Sequence, residues 1–339
     1  MSTSTETINY LDNGVSTPID VTVYPIDKAG EVVRLASDPR VWGAYSAQYL
    51  LRVMEENGIL VQMQDEEILD LGCGGGILGI AALKKSARSV TMVDLNQAAV
   101  ELSEMNAKIN GFIPGVSFDC VHSDLFDDLP NNQYDRIISN PPVQPELLGV
   151  HVNNPAYKTN ESGANGRRAL DGLITQGRNY LKKGGKMLFT SSSRHKHSET
   201  VRMLNENWGE GNWRVINHED GEGVEDKVMP EYHGPYMMYW VGMQSMDLEF
   251  RVYQKDKSGN PYCETVLSPN RTVKLITLPT DNGLKTVKLD MVNGQITRAV
   301  EMVGEIEVPI ELPRDFEIPS LGEDQSWYYK YYVIEAVNN

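Results

Sequence analysis

The sequence Asp70-Leu71-Gly72-Cys73-Gly74-Gly75-Gly76 contains four glycines within five residues. It ends a short apolar run that begins at Glu67, and a helical pattern follows from Leu78. Glycine at 72, 74 and 76 lets the backbone turn tightly and approach a ligand closely, which a β-carbon would obstruct. We therefore expect a strand, a ligand-binding turn and a helix in succession.

Strand and helix patterns alternate on both sides of this turn. They predict a doubly wound, Rossmann-like parallel sheet, completed to seven strands, that binds ligands at the carboxyl ends of its strands. The expected strands are 67–71, 89–93, 116–121, 136–139 and 186–191, with 213–217 and 236–244 as closing strands. The expected helices are 42–54, 78–85, 97–110, 166–181 and 197–207.

A change of pattern near Asp247 predicts a second domain. Short β-rich runs follow, separated by turns such as Asp281-Asn282-Gly283. We therefore divide the chain into a lead-in over 1–60 that caps the substrate side, an α/β domain over 61–245 and a β-rich accessory domain over 246–339. The last of these could support a homodimer.

Two acidic residues at successive strand ends indicate what the glycine turn binds. Asp94 closes the second strand, 18 residues beyond Gly76, where a carboxylate can accept both ribose hydroxyls. Asp124 follows the third strand, where it can accept from an adenine amino group, and Leu125 or Phe126 could cover the ring. Each carboxylate could instead cap a helix or turn. Together with the glycine turn, they favour an adenosine-type ligand.

Asn140-Pro141-Pro142-Val143 follows the fourth strand and is the candidate chemical site. Neither proline can donate to a strand ladder, so the two residues fix the backbone and leave carbonyl groups free. The Asn140 side-chain oxygen and the Pro141 carbonyl could accept both protons of an NH2 group. That arrangement would aim the nitrogen lone pair at an electrophile, which is catalysis by positioning. A plain Asn-Pro turn is the alternative.

These motifs together resemble the class I N-methyltransferases that carry an Asn-Pro-Pro-aromatic motif. That group includes the release-factor glutamine (HemK-like) enzymes, DNA amino-methyltransferases and guanine-N2 rRNA methyltransferases. Asn165-Gly166-Arg167 with Asp171 is similar to the segment after the motif in the glutamine-methylating group. The resemblance covers roughly residues 60–210. It implies S-adenosylmethionine as methyl donor, bound by Asp70, Gly72, Gly74, Gly76, Asp94, Asp124, Leu125 and Asn140.

Val143 departs from this family pattern, which has Tyr or Phe at that position. Valine offers no ring to stack on a planar amide or base, so it favours an aliphatic amine or thioether as acceptor. Trp42, Tyr45 or Tyr157 could replace the missing ring and line the substrate site. Core packing is the alternative for all three aromatic residues.

The composition limits the partners. Lys and Arg total 31 against 47 acidic residues, a formal net charge of -16, which disfavours nucleic acid. The N-terminus has neither a basic start nor an apolar run, and no segment approaches membrane-span length, so we expect a cytoplasmic protein that makes no membrane contact. The cysteine and histidine spacings predict no metal site, and His151 or His233 could act as a general base.

Four functions follow as hypotheses. The first is methyl transfer to nitrogen or sulfur of a small amino-acid-like metabolite, favoured by Val143 and the charge. The second is methylation of a protein glutamine or lysine, and the third is methylation of a nucleic acid. The fourth is binding of S-adenosylmethionine without catalysis, which an intact Asn140-Pro141-Pro142 disfavours.

Overall fold

The chain divides into two compact units. The structure, a computed structural model, describes residues 3–12, 14–129, 134–143, 161–163, 165–193, 196–217, 224–227, 250–255, 261–268, 271–280, 283–292, 295–303, 306–311 and 328–339. The first unit comprises Met1–Ser191, Thr200–Gly223 and Tyr332–Asn339, and the second comprises Ser192–Glu199 and Val224–Tyr331.

The elements of the first unit alternate between strand and helix after an all-β start. Its strands are β1 (Ser4–Asp12), β2 (Val15–Pro25), β3 (Val32–Leu35), β4 (Glu67–Leu71), β5 (Ser89–Asp94), β6 (Phe118–His122), β7 (Tyr134–Ser139), β8 (Leu181–Ser192) and β9 (Trp213–Val215). Its helices are α1 (Tyr45–Glu56), α2 (Ile59–Gln62), α3 (Ile77–Lys84), α4 (Gln97–Ile109), α5 (Arg168–Gln176) with a following 3-10 helix (Gly177–Tyr180), and α6 (His197–Trp208).

The second unit is built from strands. They are β10 (Val224–Lys227), β11 (Phe250–Lys255), β12 (Pro261–Ser268), β13 (Arg271–Thr280), β14 (Gly283–Val292), β15 (Gln295–Val303) and β16 (Ile306–Pro309). The last strand, β17 (Tyr328–Val337), contributes residues 328–331 to this unit and residues 332–337 to the first.

The central sheet of the first unit has the strand order β6-β5-β4-β7-β8-β17-β9. Strands β6, β5, β4, β7 and β8 pair in parallel, and β9 pairs antiparallel with β17. Leu69, Ile137 and Leu188 are fully buried, as expected where helices cover both faces of a parallel sheet. The predicted Rossmann-like, seven-stranded fold with additional β structure is therefore confirmed.

The seventh strand comes from the end of the chain, which differs from the predicted domain boundary at 246. Ile334 and Ala336 pair with Val215 and Trp213 and are fully buried. Residues 332–339 thus complete the α/β unit, and the β-rich unit interrupts it instead of following it. The strand pattern reveals β17 but cannot show which sheet it joins. The expected closing strand at 236–244 lies outside the described residues.

A three-stranded antiparallel sheet, β1-β2-β3, begins the chain and belongs to the first unit. Only a short strand near 21–24 is evident from the sequence. β1 carries polar, largely exposed residues, so it lacks the apolar alternation that identifies a strand. The observed first unit therefore includes the lead-in that the sequence analysis separated at residue 60.

The second unit is an antiparallel succession in which β11 to β16 each pair with the next strand. Cys263, Ile276, Val287 and Leu289 form its buried cluster. Residues 328–331 of β17 pair with β10, so that Val224 lies opposite Tyr331. The longer segment of this unit, Val224–Tyr331, therefore begins and ends at two paired residues.

Candidate active site

The glycine turn between β4 and α3 is held open by left-handed backbone. Gly72, Gly74 and Gly76 have φ values of 71°, 53° and 83°, a region that residues with a β-carbon rarely occupy. The N–H groups of Gly72 and Cys73 both donate to the Val93 carbonyl, at 2.8 and 2.9 Å. The turn is thus fastened to the end of β5 at the carboxyl edge of the sheet.

Asp70 lies at the start of this turn and is buried. Its Oδ2 accepts from the Gly79 N–H at 2.8 Å, which holds the first turn of α3. Burial, and secondarily the nearby Asp94, raises the pKa of the Asp70 carboxyl to about 7, while the Gly79 bond opposes the shift. Oδ1 has no hydrogen-bond partner among the described residues.

Asp94 connects the glycine turn to the start of α4. Its Oδ2 accepts from the Gly74 N–H at 2.9 Å and its Oδ1 from the Asn96 N–H at 2.8 Å. Burial raises the pKa of Asp94, and these two backbone bonds oppose the shift. The capping role weighed in the sequence analysis is therefore present, and the predicted contact with ribose stays a prediction.

The loop after β6 lies beside the end of β5. The Ser123 N–H donates to the Asp94 carbonyl at 3.1 Å, which brings Asp94 and Asp124 to one edge of the sheet. Asp124 forms an ion pair with Arg168 at the start of α5 through its Oδ2. Its Oδ1 has no hydrogen-bond partner within the described part of the chain.

Leu125 and Phe126 differ in their exposure. Leu125 is half-buried with a left-handed φ of 52°, and it lies so close to α5 that a Cβ added at Gly172 would clash with its Cδ1. Phe126 is buried and stacks on Tyr180 at 4.4 Å between ring centroids. Phe126 is therefore a core residue and cannot cover an adenine ring, which corrects that expectation.

Leu95 is a candidate that the sequence analysis missed. It follows Asp94 directly and is 56% exposed, so the site offers an apolar side chain beside its carboxylates. The pattern that could have revealed it is an isolated leucine between Asp94 and the Asn96 cap of α4.

The predicted chemical loop begins where β7 ends. The Ser139 hydroxyl donates to the Leu71 carbonyl at 2.7 Å, and the Asn140 Oδ1 accepts from the Thr190 hydroxyl at 2.8 Å. A Cβ built on Gly72 would lie 3.7 Å from Pro142 Cδ. The structure therefore brings the predicted acceptor loop into contact distance of the glycine turn. Thr190 is a second residue that the sequence analysis missed.

The structure describes only some of the remaining predicted site residues. Pro141 is buried, and Pro142 and Val143 are half-buried. Trp42 is half-buried and lies two residues after Arg40, whose carbonyl accepts from Asn96 Nδ2 at 3.0 Å. Tyr45 begins α1, but its side chain, like all of Tyr157, lies outside the described residues, as do His151 and His233. The substrate-binding roles stay predictions.

Asn106 on α4 is a further residue that the sequence analysis did not single out. It is fully buried, its Oδ1 accepts from the Ala36 N–H at 2.8 Å, and its Nδ2 donates to the Gly75 carbonyl at 2.9 Å. It therefore joins the N-terminal segment to the glycine turn. An asparagine on the apolar face of a predicted helix is the only pattern that could have indicated it.

These residues fit an adenosine-type methyl donor. At Gly74 the space that a β-carbon would fill is open, and Asp70 and Asp124 each have a carboxylate oxygen without a donor in the described ranges. Among the described residues there is no group of three or more His, Cys, Asp or Glu side chains that could hold a metal ion. No described helix is long and apolar enough to cross a membrane.

The family match and the fold make this chain a class I S-adenosylmethionine-dependent methyltransferase, for which S-adenosylmethionine supplies the methyl group. The model of the Methyltransferase small domain family matches residues 44–220. The chain belongs to this family.

Three similar proteins illustrate the range of acceptors. A proposed protein N5-glutamine methyltransferase from Methanocaldococcus jannaschii is 34% identical over 145 residues, covering 43% of this chain and 71% of that protein. A ribosomal protein L11 methyltransferase from Chromobacterium violaceum is 38% identical over 121 residues, covering 33% of this chain and 34% of that protein. The match thus spans about a third of that enzyme. The structure of a T. thermophilus 16S rRNA N2 G1207 methyltransferase with AdoMet and guanosine has a TM-score of 0.37 at 19% identity. The match covers 62% of this chain and 47% of that chain.

Proposed function

We propose that this methyltransferase acts on a side-chain nitrogen of a protein, with a glutamine amide favoured over a lysine amine. The observation that carries the proposal is the contact between the Asn140 loop and the glycine turn. A β-carbon built on Gly72 would lie 3.7 Å from Pro142 Cδ. An acceptor held by Asn140 would therefore reach a donor at the glycine turn without a large movement.

These residues would contribute to catalysis by positioning the acceptor nitrogen. The Asn140 Oδ1 accepts from the Thr190 hydroxyl, and an amide oxygen can accept more than one hydrogen bond, here including one from the acceptor nitrogen. The Pro141 carbonyl would accept the second proton and leave the nitrogen lone pair facing the donor. The donor, when bound, supplies an electrophilic methyl group. A nitrogen–carbon bond forms as a sulfur–carbon bond breaks, the sulfur leaves as a neutral thioether, and one nitrogen proton passes to water.

The similar proteins favour a protein acceptor over the small metabolite that Val143 and the charge suggested. The two relatives described above that are more than 30% identical are named for glutamine and for ribosomal protein L11. A formal net charge of -16 also suits a basic protein partner, since complementary charge speeds association and rejects phosphate-rich competitors. The negative net charge, which favoured a small metabolite in the sequence, thus also favours a basic protein acceptor.

A small amino-acid-like acceptor remains the second candidate because of Val143. This half-buried valine provides no ring for stacking on a planar amide. A metabolite amine or thioether needs no such ring, whereas a glutamine amide would have to be sandwiched by another residue.

The test is methyl transfer from radiolabelled S-adenosylmethionine in a lysate separated into protein, RNA and small molecules. The proposal expects label in protein, lost with N140A and retained with the control S191A, and mass spectrometry of tryptic peptides would locate it on glutamine or lysine. Label confined to the small-molecule fraction would support the second candidate, and label in RNA would contradict both.

A further inference from the structure

One face of helix α5 packs against the loop that follows β6, where the adenine contacts are predicted. Arg168 and Gly172 are four residues apart, so they lie on the same face of this helix. The Arg168 guanidinium pairs with Asp124 Oδ2, and a β-carbon at Gly172 would clash with Leu125 Cδ1. The helix therefore contacts both loop residues that the sequence assigns to the adenine ring.

The backbone of Leu125 needs support from its surroundings. Its φ of 52° lies in the left-handed region, which a leucine rarely occupies. Such strained residues persist only where neighbouring groups hold them, and they cluster at ligand sites. The missing side chain of Gly172 leaves the room that Leu125 fills. The next residue is anchored as well, because the Tyr180 hydroxyl donates to the Phe126 carbonyl at 3.1 Å.

The ion pair determines which carboxylate oxygen of Asp124 a ligand can use. Oδ2 pairs with Arg168, whereas Oδ1 has no hydrogen-bond partner in the described part of the chain. The terminal torsion of an aspartate is broad, so without the pair either oxygen could take either position. The side chains of Asp124 and Arg168 are 34% and 51% exposed, and a pair this exposed adds little to stability. Its main effect is therefore to orient the carboxylate.

We propose that Arg168 and Gly172 are positioning residues for the methyl donor, which hold Asp124 and Leu125 so that Asp124 Oδ1 receives the 6-amino group of the adenine ring. An ionised carboxylate oxygen can only accept hydrogen bonds, so it suits an amino group, which donates. The inference rests on the predicted adenine contact of Asp124 and is independent of the acceptor. It makes α5 a determinant of specificity for the adenine ring.

Two ligands isolate the contribution of the amino group. They are S-adenosylhomocysteine, the demethylated donor, and its analogue with hydrogen in place of the 6-amino group. Titration calorimetry gives the ratio of their dissociation constants for each variant. The wild type should prefer the amino ligand by about ten- to a hundredfold, the range for a hydrogen bond to a charged group. D124N should bring the ratio to within about threefold of one, because Arg168 would take the single amide oxygen.

The variant R168Q tests the ion pair. It should lower the preference for the amino ligand at least about threefold, because the carboxylate is no longer held in one orientation. R202Q is the matched control, since Arg202 lies on α6, is 53% exposed and also pairs with a carboxylate, that of Glu206. It should keep the wild-type ratio. A merely structural role of Arg168 would lower stability in urea and leave the ratio unchanged.

The variant G172A tests the contact with Leu125. The added methyl group should displace the leucine and weaken binding of S-adenosylhomocysteine by about three- to tenfold. In the L125A background, which lacks the clashing atom, the same substitution should change the affinity less than about twofold. Alanine favours a helix more than glycine does, so weaker binding would not reflect loss of α5.

The outcomes separate the two residues from each other and from the proposed function. A wild-type ratio near one would overturn the adenine contact of Asp124 and the inference with it. A wild-type ratio in R168Q, together with a lowered ratio in D124N, would overturn the role of Arg168. Equal effects of G172A with and without L125A would overturn the role of Gly172. The proposed acceptor is untouched by any of these results, since binding is measured without it.

Discussion

At the scale of single residues, Asp94 has a structural role in the structure and a predicted role in ligand binding. Its two oxygens already accept from Gly74 and Asn96, and carboxylate oxygens have lone pairs left for ribose hydroxyls. D94A removes both loop contacts and the acceptor, so we expect donor binding to weaken by about 1.5–3 kcal/mol. Titration calorimetry with S-adenosylmethionine measures this loss of binding free energy. The control is D119A, which removes an exposed carboxylate from β6. Equal affinity in D94A and wild type would refute the assignment.

Asp70 gives a prediction about pH. Burial raises its pKa in the folded state to about 7, whereas an unfolded aspartate has a pKa of about 3.9. Between these values the folded state binds more protons than the unfolded state, so the contribution of Asp70 to stability is lost as the pH rises from about 4 to about 7. Above about pH 7 the whole of this contribution to the free energy of unfolding is lost.

D70N isolates this effect, because asparagine stays neutral and keeps an oxygen for the Gly79 N–H. Relative to D70N, the wild type should lose up to about 4 kcal/mol of unfolding free energy between pH 4 and pH 7. Urea denaturation of both proteins without donor, at several pH values in this range, measures the difference. A difference that does not change with pH would show that Asp70 ionises normally.

At the scale of elements, α4 fastens the glycine turn from outside the strand–turn–helix motif. N106A would leave the buried Ala36 N–H and the Gly75 carbonyl without this partner, at about 1–3 kcal/mol for each group. We expect lower stability in urea denaturation and weaker binding of S-adenosylmethionine. E101A, on the exposed face of the same helix, is the matched control. Stability equal to that of E101A would mean that Asn106 is not a connecting residue.

The elements also show what the sequence can predict. The turn at Asp70–Gly76, the strand end at Asp94 and the loop at Asn140 are local patterns, and the structure brings them to one edge of the sheet. Thr190 and Asn106 act through partners 50 and 70 residues away, so no local pattern reveals them. Phe126 and Leu125 are adjacent and both apolar, and only the packing of Phe126 on Tyr180 separates their roles.

At the scale of the whole molecule, the chain leaves the α/β unit after β9 and returns through β17. Tyr332, Val333 and Ile334 are buried, and each large apolar side chain contributes about 1.5–3 kcal/mol. Their combined contribution is comparable with the total stability of a domain, about 5–15 kcal/mol. The last strand is therefore required for the fold, although it is farthest from β4 in sequence.

The inserted unit can then be removed without removing that strand. Val224 pairs with Tyr331 in antiparallel register, and such residues can be joined by a two-residue Asn-Gly turn. We expect a chain with residues 225–330 replaced by this turn to unfold cooperatively and to bind S-adenosylmethionine within about threefold of the full chain, since the predicted donor-binding residues all belong to the first unit. A chain that ends at Tyr331 is the contrasting variant and should lose cooperative unfolding, because the sheet lacks its seventh strand. If the excised chain binds the donor but no longer labels protein in the lysate, the β-rich unit recognises the acceptor. If it fails to fold while the chain ending at Tyr331 folds, the assignment of residues 332–337 to the central sheet is wrong.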